Sequence, residues 1–329
     1  IAIFFRTYNY LDRVAVHADN ARDVQVAKFA ADNLKIIQIG QFSSAGPFFY
    51  GPWYYWLLEM VSFLPFGFLT HWYAASFFSL VFILMIYYLG NSIGGKWLGS
   101  LAALFAAISP AQIENSFYVW NPAIIPFLIL AALIFLVKFY LTYAGIYIFL
   151  LGFVVSLATT IHFQSILSLP ILLVAIFSFK QSVGQFFKNL LFLLIGISIP
   201  VVPLLYFDAN HNWYNSKSLI VFLTVDQFRI WVPNRWLTYA GIYWPQTWAY
   251  IIGGSRWLSG LVIILLSFFT FFKLKNFESH KVFYLISITF VLEVILYRYY
   301  RGERFIYYSF FAHPTVILLT AWTVIQIHK

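Results

Sequence analysis

The sequence predicts an all-α integral membrane protein, a bundle of about ten transmembrane helices, and three observations carry that expectation. Hydrophobic residues make up 62% of the 329-residue chain, while Asp, Glu, Lys and Arg together make up only 9%. A soluble domain carries about a quarter charged residues. Apolar runs long enough to cross roughly 30 Å of hydrocarbon recur along the whole length. The basic residues fall between those runs and gather in alternate connections, as spans weaving through a bilayer require.

The same composition narrows the function classes. The chain has no cysteine, so disulfides, zinc–thiolate sites and thiol chemistry are excluded. The formal net charge is +9, but the basic residues are dispersed between spans. That distribution suits topology and lipid phosphate contacts, and it does not point to nucleic acid.

Spans are expected at about Trp72–Leu89, Trp97–Ile113, Ala123–Val137, Tyr143–Ile161, Phe163–Phe179, Phe187–Tyr206, Trp257–Phe272, Val282–Tyr297 and Phe305–Ile325. Ile1–Phe5, an apolar scrap running into Arg6, reads as the end of a truncated first transmembrane helix. Two polar stretches are long: 7–47, rich in charge, and 208–256, rich in Trp and Tyr. With no Gly/Ser linker and no short repeat, residues 1–329 form one integral domain.

Lys96, Lys138, Lys180, Lys188, Lys273, Lys275, Lys281 and Lys329 fall in alternate short connections or at the C-terminus, and define the cytoplasmic face. Every Asp, every Glu except Glu278, and every Arg then lies outside or within a span. Counting Phe48–Phe68 as a crossing would put the Lys loops outside. It also holds Gly51-Pro52, Glu59 and Pro65. It is therefore read as an interfacial or re-entrant helix on the outer face. Ser216–Trp231 is read the same way, with Trp231, Trp236, Trp244 and Trp248 at headgroup level.

The polar motifs gather on that outer side. In His17-Ala-Asp19-Asn20-Ala-Arg22-Asp23, a helix would place Asp19, Arg22 and Asp23 on one face. There a carboxylate would steer a metal ion or an acceptor hydroxyl while the arginine grips a phosphate. The plainer alternative is a capped helix start, with Arg22 paired to Asp23. The run Gly46-Pro47-Phe-Phe-Tyr50-Gly51-Pro52-Trp53-Tyr54-Tyr55-Trp56 would line a sugar or lipid-head site, or form an aromatic belt. Asn121 in Tyr118-Val-Trp120-Asn121-Pro122 is a cap, or a ligand through its carboxamide. His162 stands between two spans as a structural partner or a catalyst. Arg298-Tyr-Tyr-Arg301-Gly-Glu303-Arg304 opposes the positive-inside bias, so its arginines call for an anion, from a lipid headgroup or a substrate phosphate.

In this order the motifs resemble those of the GT-C glycosyltransferases of the protein O-mannosyltransferase and aminoarabinose transferase superfamily, over nearly the whole chain. The matching parts are Asp19-x-x-Arg22, Gly51-Pro52-Trp53-Tyr54-Tyr55, Asn121-Pro122, His162 ahead of the span with Pro170, and the basic-aromatic segment before the last helix. The resemblance implies a GT-C-like multi-helix bundle with juxtamembrane helices on the outer face of the cytoplasmic membrane. It implies transfer from a polyprenyl-phosphate sugar donor to a lipid, glycan or protein acceptor, with membrane lipids as further partners. Asp19 would be the catalytic carboxylate, or a ligand for a divalent cation such as Mg or Mn, and Arg22 a donor-phosphate contact. Tyr50, Tyr54, Asn121 and His162 would form the substrate pocket. Some relatives carry a Lys where this chain has Tyr50, so Lys35, Arg301 or Arg304 would complete the donor grip. Some carry a second outer Asp where this chain has Asn121.

The reaction expected is in-line displacement at the anomeric carbon with inversion, Asp19 taking or orienting the acceptor proton. A lipid or solute transporter is the alternative, and it would place ionisable groups in mid-span, where Glu293 is the main candidate.

Overall fold

The computed structural model describes residues 1–178, 181–228, 236–273, 280–300 and 304–328. Among them there is no β-strand, only an isolated antiparallel bridge between Phe42 and Phe49. In hydrocarbon every backbone N–H and C=O must be satisfied within its own segment, and the helix does this.

Three short helices begin the chain: α1 (Ala2–Thr7), α2 (Tyr10–Arg13) and α3 (Ala18–Asp32). Next come α4 (Trp53–Ser62), α5 (Thr70–Ile108), α6 (Pro110–Asn115), α7 (Ile125–Thr142) and α8 (Gly145–Ile161). These are followed by α9 (Leu169–Phe177), α10 (Val183–Ala209), α11 (Tyr214–Thr224) and α12 (Trp236–Thr238). The last are α13 (Trp244–Ile252), α14 (Arg256–Lys273), α15 (Lys281–Tyr299) and α16 (His313–His328).

As one rod, the 39 residues of α5 would run to about 60 Å, twice a bilayer's core. Instead the helix folds back at Gly94 and Gly95. Gly95 has φ +80° and ψ 179°, a conformation reserved for glycine. The arms then touch through glycines: a Cβ on Gly99 would lie 2.6 Å from the Tyr87 carbonyl oxygen. Ser76 donates to the Ser116 carbonyl at 2.8 Å and Ser79 to that of Gln112 at 3.2 Å, which ties the first arm to α6 and the residue after it. In position the two arms correspond to Trp72–Leu89 and to the first part of Trp97–Ile113 among the expected spans.

Among the described residues, five stretches are long and apolar enough to cross: Gly67–Ile108, Asn121–Thr142, Val183–Asn210, Lys281–Tyr299 and Ile306–His328. The chain is thus a multi-pass membrane protein. Trp236–Ile252 and Arg256–Phe272 meet at a bend of 100°, set by Gly253 and Gly254 at φ +92° and +93°. Gly145–Ile161 and Phe163–Phe177 are shorter. The sequence-derived figure of about ten counts the arms of α5 separately, includes these shorter helices, and adds Ile1–Phe5, which here lies in a six-residue helix.

Helices pack through small residues, as they do where apolar burial gives no drive. A Cβ on Gly196 of α10 would meet the Phe149 carbonyl oxygen of α8 at 2.2 Å. Ser156 donates across the same seam to the Ile197 carbonyl at 2.7 Å. Arg6 is fully buried, with its guanidinium donating to Ser79 Oγ at 2.7 Å and to the Ala106 and Ala107 carbonyls at 3.2 and 3.0 Å. Those carbonyls lie near the end of an α5 arm, so a cation there also meets the negative pole of the helix.

The bundle has two unlike ends. One carries the α5 turn, Lys96, Lys138 and the start of α15, with Gly94, Tyr140, His280, Lys281 and Gln326 around one cavity. The other carries α3, α4, Asn121, His162 and the end of α15. The ten-residue α4 is about 15 Å long, too short to cross. It lies against α3 and ends among exposed Met60, Phe63, Phe66 and Phe68.

Candidate active site

The acidic cluster opens α3. His17 is the N-cap, and its backbone N–H donates to Asn20 Oδ1 at 2.6 Å in a capping box. Asn20 Nδ2 donates to the Ala15 carbonyl at 2.9 Å. Capping therefore falls to His17 and Asn20, which leaves Asp19 free to meet Arg22. Arg22 Nη1 donates to Asp19 Oδ1 at 2.9 Å, while Nε and Nη2 donate to Asp23 Oδ1 at 2.9 and 2.8 Å.

The two carboxylates differ in burial: the Asp19 side chain is 81% exposed, and that of Asp23 is 3% exposed. Asp23 also accepts from Tyr55 Oη at 3.0 Å and Gln41 Nε2 at 3.1 Å. Burial pushes its carboxyl above the usual carboxylate range, against the opposing pull of Arg22, Tyr55 and Gln41.

A chain of contacts leads from this cluster across the end of the bundle. Gly40 N donates to the Tyr50 carbonyl and Tyr50 N to that of Gln41, both at 2.9 Å, clasping the loop before α4. Tyr50 is buried and stacks on His162 with ring centres 5.5 Å apart. Burial pushes the Tyr50 phenol up to about 12. It pushes the His162 imidazole down to about 3, so the ring is neutral in the physiological range. His162 lies 5.9 Å from both Tyr307 and Tyr308, and Tyr308 is 6.0 Å from Tyr300. Asn121 Nδ2 donates to the Ile161 carbonyl at 2.8 Å, closing the end of α8 beside His162.

Two guanidiniums stand at the far end of this chain. Arg298 is buried in the last turn of α15, 4.8 Å over the Trp236 ring and 5.7 Å over Tyr239. Arg304 lies 5.5 Å over the same Tyr239 and 5.8 Å over Tyr297. Arg304 Nη2 donates to the Arg298 and Tyr300 carbonyls at 3.2 and 2.9 Å. Among the described residues, the Nε of each arginine has no partner and no carboxylate pairs with either. Two like charges sharing one ring invite an anion with several oxygens.

A void of about 50 Å³ lies between α4, the first arm of α5, α6 and the start of α7. Leu58, Phe78, Phe82 and Phe127 wall it, and Tyr54, Gln112, Asn115 and Trp120 supply polar atoms. Tyr118 also lines it and stacks on His17, 5.7 Å between centres, two residues before Asp19.

Of the residues expected from the sequence, Asp19 and Arg22 meet directly, and Tyr50 meets His162. Asn121 adjoins that pair and Tyr54 faces the void. Arg304 reaches the end of the bundle that holds them. Lys35 lies beyond the other end of α3, roughly 20 Å of helix from Asp19, with its ammonium 5.4 Å over Phe29. Arg301 lies outside the described residues. Asp23, Gln41, Tyr55, Asn115 and Arg298 are the additions. Asp23 and Arg298 sit within the motifs already noted, but their burial depends on residues far away in the chain.

The donor set at Asp19 does not make a divalent-cation site as arranged. Arg22 occupies the space between the two carboxylates, and among the described residues no three His, Cys, Asp or Glu side chains converge on a metal position.

No family model matches the chain, and no curated protein does. Solved structures do. The oligosaccharyltransferase of Archaeoglobus fulgidus in its apo form aligns with 99% of this chain and 49% of its own, at a TM-score of 0.60 and 12% identity. The archaeal oligosaccharyltransferase AglB from Archaeoglobus fulgidus, in complex with an inhibitory peptide and a dolichol-phosphate, aligns over the same shares at 0.60 and 11%. A complex with Zn and sulfate aligns at 0.58 and 10% identity. The chain thus spans about half the length of the structures it matches. What they have in common with it is the GT-C fold, which this chain carries over nearly its entire length.

Proposed function

We propose that this chain transfers a sugar from a polyprenyl-phosphate-linked donor to an acceptor hydroxyl, at the outer face of the cytoplasmic membrane. The observation that carries the reading is the pair Arg298 and Arg304, stacked on Tyr239 with no carboxylate partner among the described residues, on the same end of the bundle as Asp19 and Arg22. The likeness to an enzyme solved with a dolichol-phosphate supports a lipid-linked donor. Its inhibitory peptide leaves the acceptor class to this chain's own features.

In the reaction the acceptor oxygen forms a bond to the anomeric carbon as the bond from that carbon to the phosphate oxygen breaks. The sugar inverts, the hydroxyl proton passes to the exposed Asp19 carboxylate, and the electron pair leaves on the phosphate. Arg298 and Arg304, with Arg301 beside them in sequence, stabilise that growing charge. Arg22 holds Asp19 in place, and the neutral, ring-packed His162 shapes the pocket with Tyr50. No step is routed through a metal, and the sugar's identity is left to assay.

The test is incubation of the purified chain in lipid nanodiscs with labelled polyprenyl-phosphate sugars, with and without added Mg or Mn. Transfer by the wild type and none by Asp19→Asn supports the reading, and full activity of that variant removes Asp19 from it. A carrier is the second reading, drawn from Glu293, buried in α15 with no partner for Oε2 among the described residues. Movement of a labelled lipid across proteoliposomes without any glycosylated product would favour it.

A further inference from the structure

The lysine-bearing end of the bundle holds a cavity that the transfer site does not use. Its volume is about 310 Å³, at the lower edge of the roughly 300–1,000 Å³ typical of small-molecule sites. Four segments meet around it: the turn of α5, the end of α7, the start of α15 and the end of α16. Leu98, Phe283 and Trp322 are buried and form an apolar floor, on which the Phe283 and Trp322 rings stack with centres 4.0 Å apart. Tyr140, His280 and Lys281 are half-buried and form the more open side.

Three features of this cavity suit an anion. Lys281 brings a positive charge, and none of the described lining residues is acidic. Lys281 also opens the 19-residue α15, where the N-cap His280 makes no side-chain cap bond and the first turn holds no acidic residue. The N–H groups at the start of a helix lack partners within it and form its positive pole. Gln326 lines the cavity from α16, is only 8% exposed, and makes no side-chain hydrogen bond among the described residues. A carboxamide buried to that extent gains from a ligand oxygen placed beside it.

The position of the cavity selects among anions. At the same end Lys96 lies 5.9 Å over the Trp97 ring and Lys138 lies 5.3 Å over Tyr88, and Trp97 is 74% exposed. Exposed aromatic and basic side chains at helix ends mark the headgroup level of a bilayer, and basic pockets between spans take lipid phosphates there. A lipid brings its phosphate together with a glycerol and methylenes, which matches a cationic rim above an apolar floor.

We propose that this cavity binds the phosphate of an anionic glycerophospholipid from the leaflet at the lysine-bearing end. Lys281 and the start of α15 meet the phosphate oxygens, Gln326 meets a further head-group oxygen, and the glycerol rests over Phe283 and Trp322. A soluble phosphate shares the first of these contacts but has nothing to place on the floor. The cavity lies at the opposite end of the bundle from Asp19 and Arg298, so it stands or falls apart from the glycosyl-transfer reading.

The test is photolabelling of the full chain in phosphatidylcholine nanodiscs doped with a phosphatidylglycerol that carries a diazirine in its head group. Labelling should concentrate at residues 280–283 and 322–326. Lys281→Gln and Gln326→Leu should each cut it about tenfold, while Lys281→Arg, which keeps the charge, should retain most of it. Lys188→Gln removes an exposed cation that does not line the cavity, and it should change nothing. Excess unlabelled phosphatidylglycerol should displace the probe from the wild type, a measurement that needs no variant to fold. Equal labelling of wild type, Lys281→Gln and Gln326→Leu overturns the site, and so does an equal fall in Lys188→Gln, which means diffuse attraction to the surface. Failure of unlabelled phosphatidylglycerol to compete overturns it as well. Displacement by inorganic phosphate as effective as by the lipid overturns the assignment to a membrane lipid.

Discussion

Asp19 and Asp23 sit one helical turn apart on one arginine, and burial gives them different work. Asp19 faces water with one oxygen on Arg22, so Asp19→Asn should lower transfer by ~10²–10⁴-fold and leave the melting temperature unchanged. Asp23 is the anchor, held by Arg22, Tyr55 and Gln41. Asp23→Asn should cost roughly 1–3 kcal/mol of stability and reduce transfer by loosening Arg22. Because burial raises the Asp23 carboxyl, the folded state holds its proton to higher pH than the unfolded chain does. Its contribution is therefore fullest below the ordinary carboxylate value and is lost as pH rises through the raised one. Melting of wild type and variant between about pH 4 and 7 should show the wild type losing ground as pH rises, and parallel curves would contradict that. Arg298→Gln should raise the donor KM by about tenfold or more, while a wild-type value would remove Arg298 from the donor site.

At the scale of elements, close backbone contacts hold helices together where the membrane offers no hydrophobic drive. Gly99→Val would push the arms of α5 apart, because even a Cβ there meets a carbonyl oxygen. The expected loss is about 1–3 kcal/mol, read as a lower midpoint on unfolding from mixed micelles, and an unchanged midpoint would argue against the close seam. The helices themselves were legible, since a run of apolar residues long enough for the bilayer has few other solutions. The shortness of the helix in Phe48–Phe68 was legible as well, since Gly51-Pro52 and Pro65 leave room for only the short α4. Less legible was the division of labour at the start of α3. His17 and Asn20 both look like ordinary loop residues, and only the capping box frees Asp19.

Across the described residues, Lys96, Lys138 and Lys281 lie at one end of the bundle, and Asp19, Arg298 and Arg304 at the other. The chain has no cysteine, so single introduced cysteines give topology without background. In sealed inverted and right-side-out vesicles, Asp32→Cys should react with an impermeant maleimide from the outside, and Lys96→Cys only from the cytoplasmic side. Labelling of both from one side would defeat the orientation.

What the residues alone determined was the membrane setting and the order of helices. Hydropathy, charge bias and Gly/Pro breaks act locally, over the length of one span or one turn. Which of two neighbouring carboxylates is buried, that Arg298 shares a ring with Arg304, and that Lys35 stands a helix length away were decided by packing. Burial and pairing depend on side chains brought together from distant segments, such as Gln41 and Tyr55 on Asp23 or Trp236 on Arg298. No local pattern records such meetings.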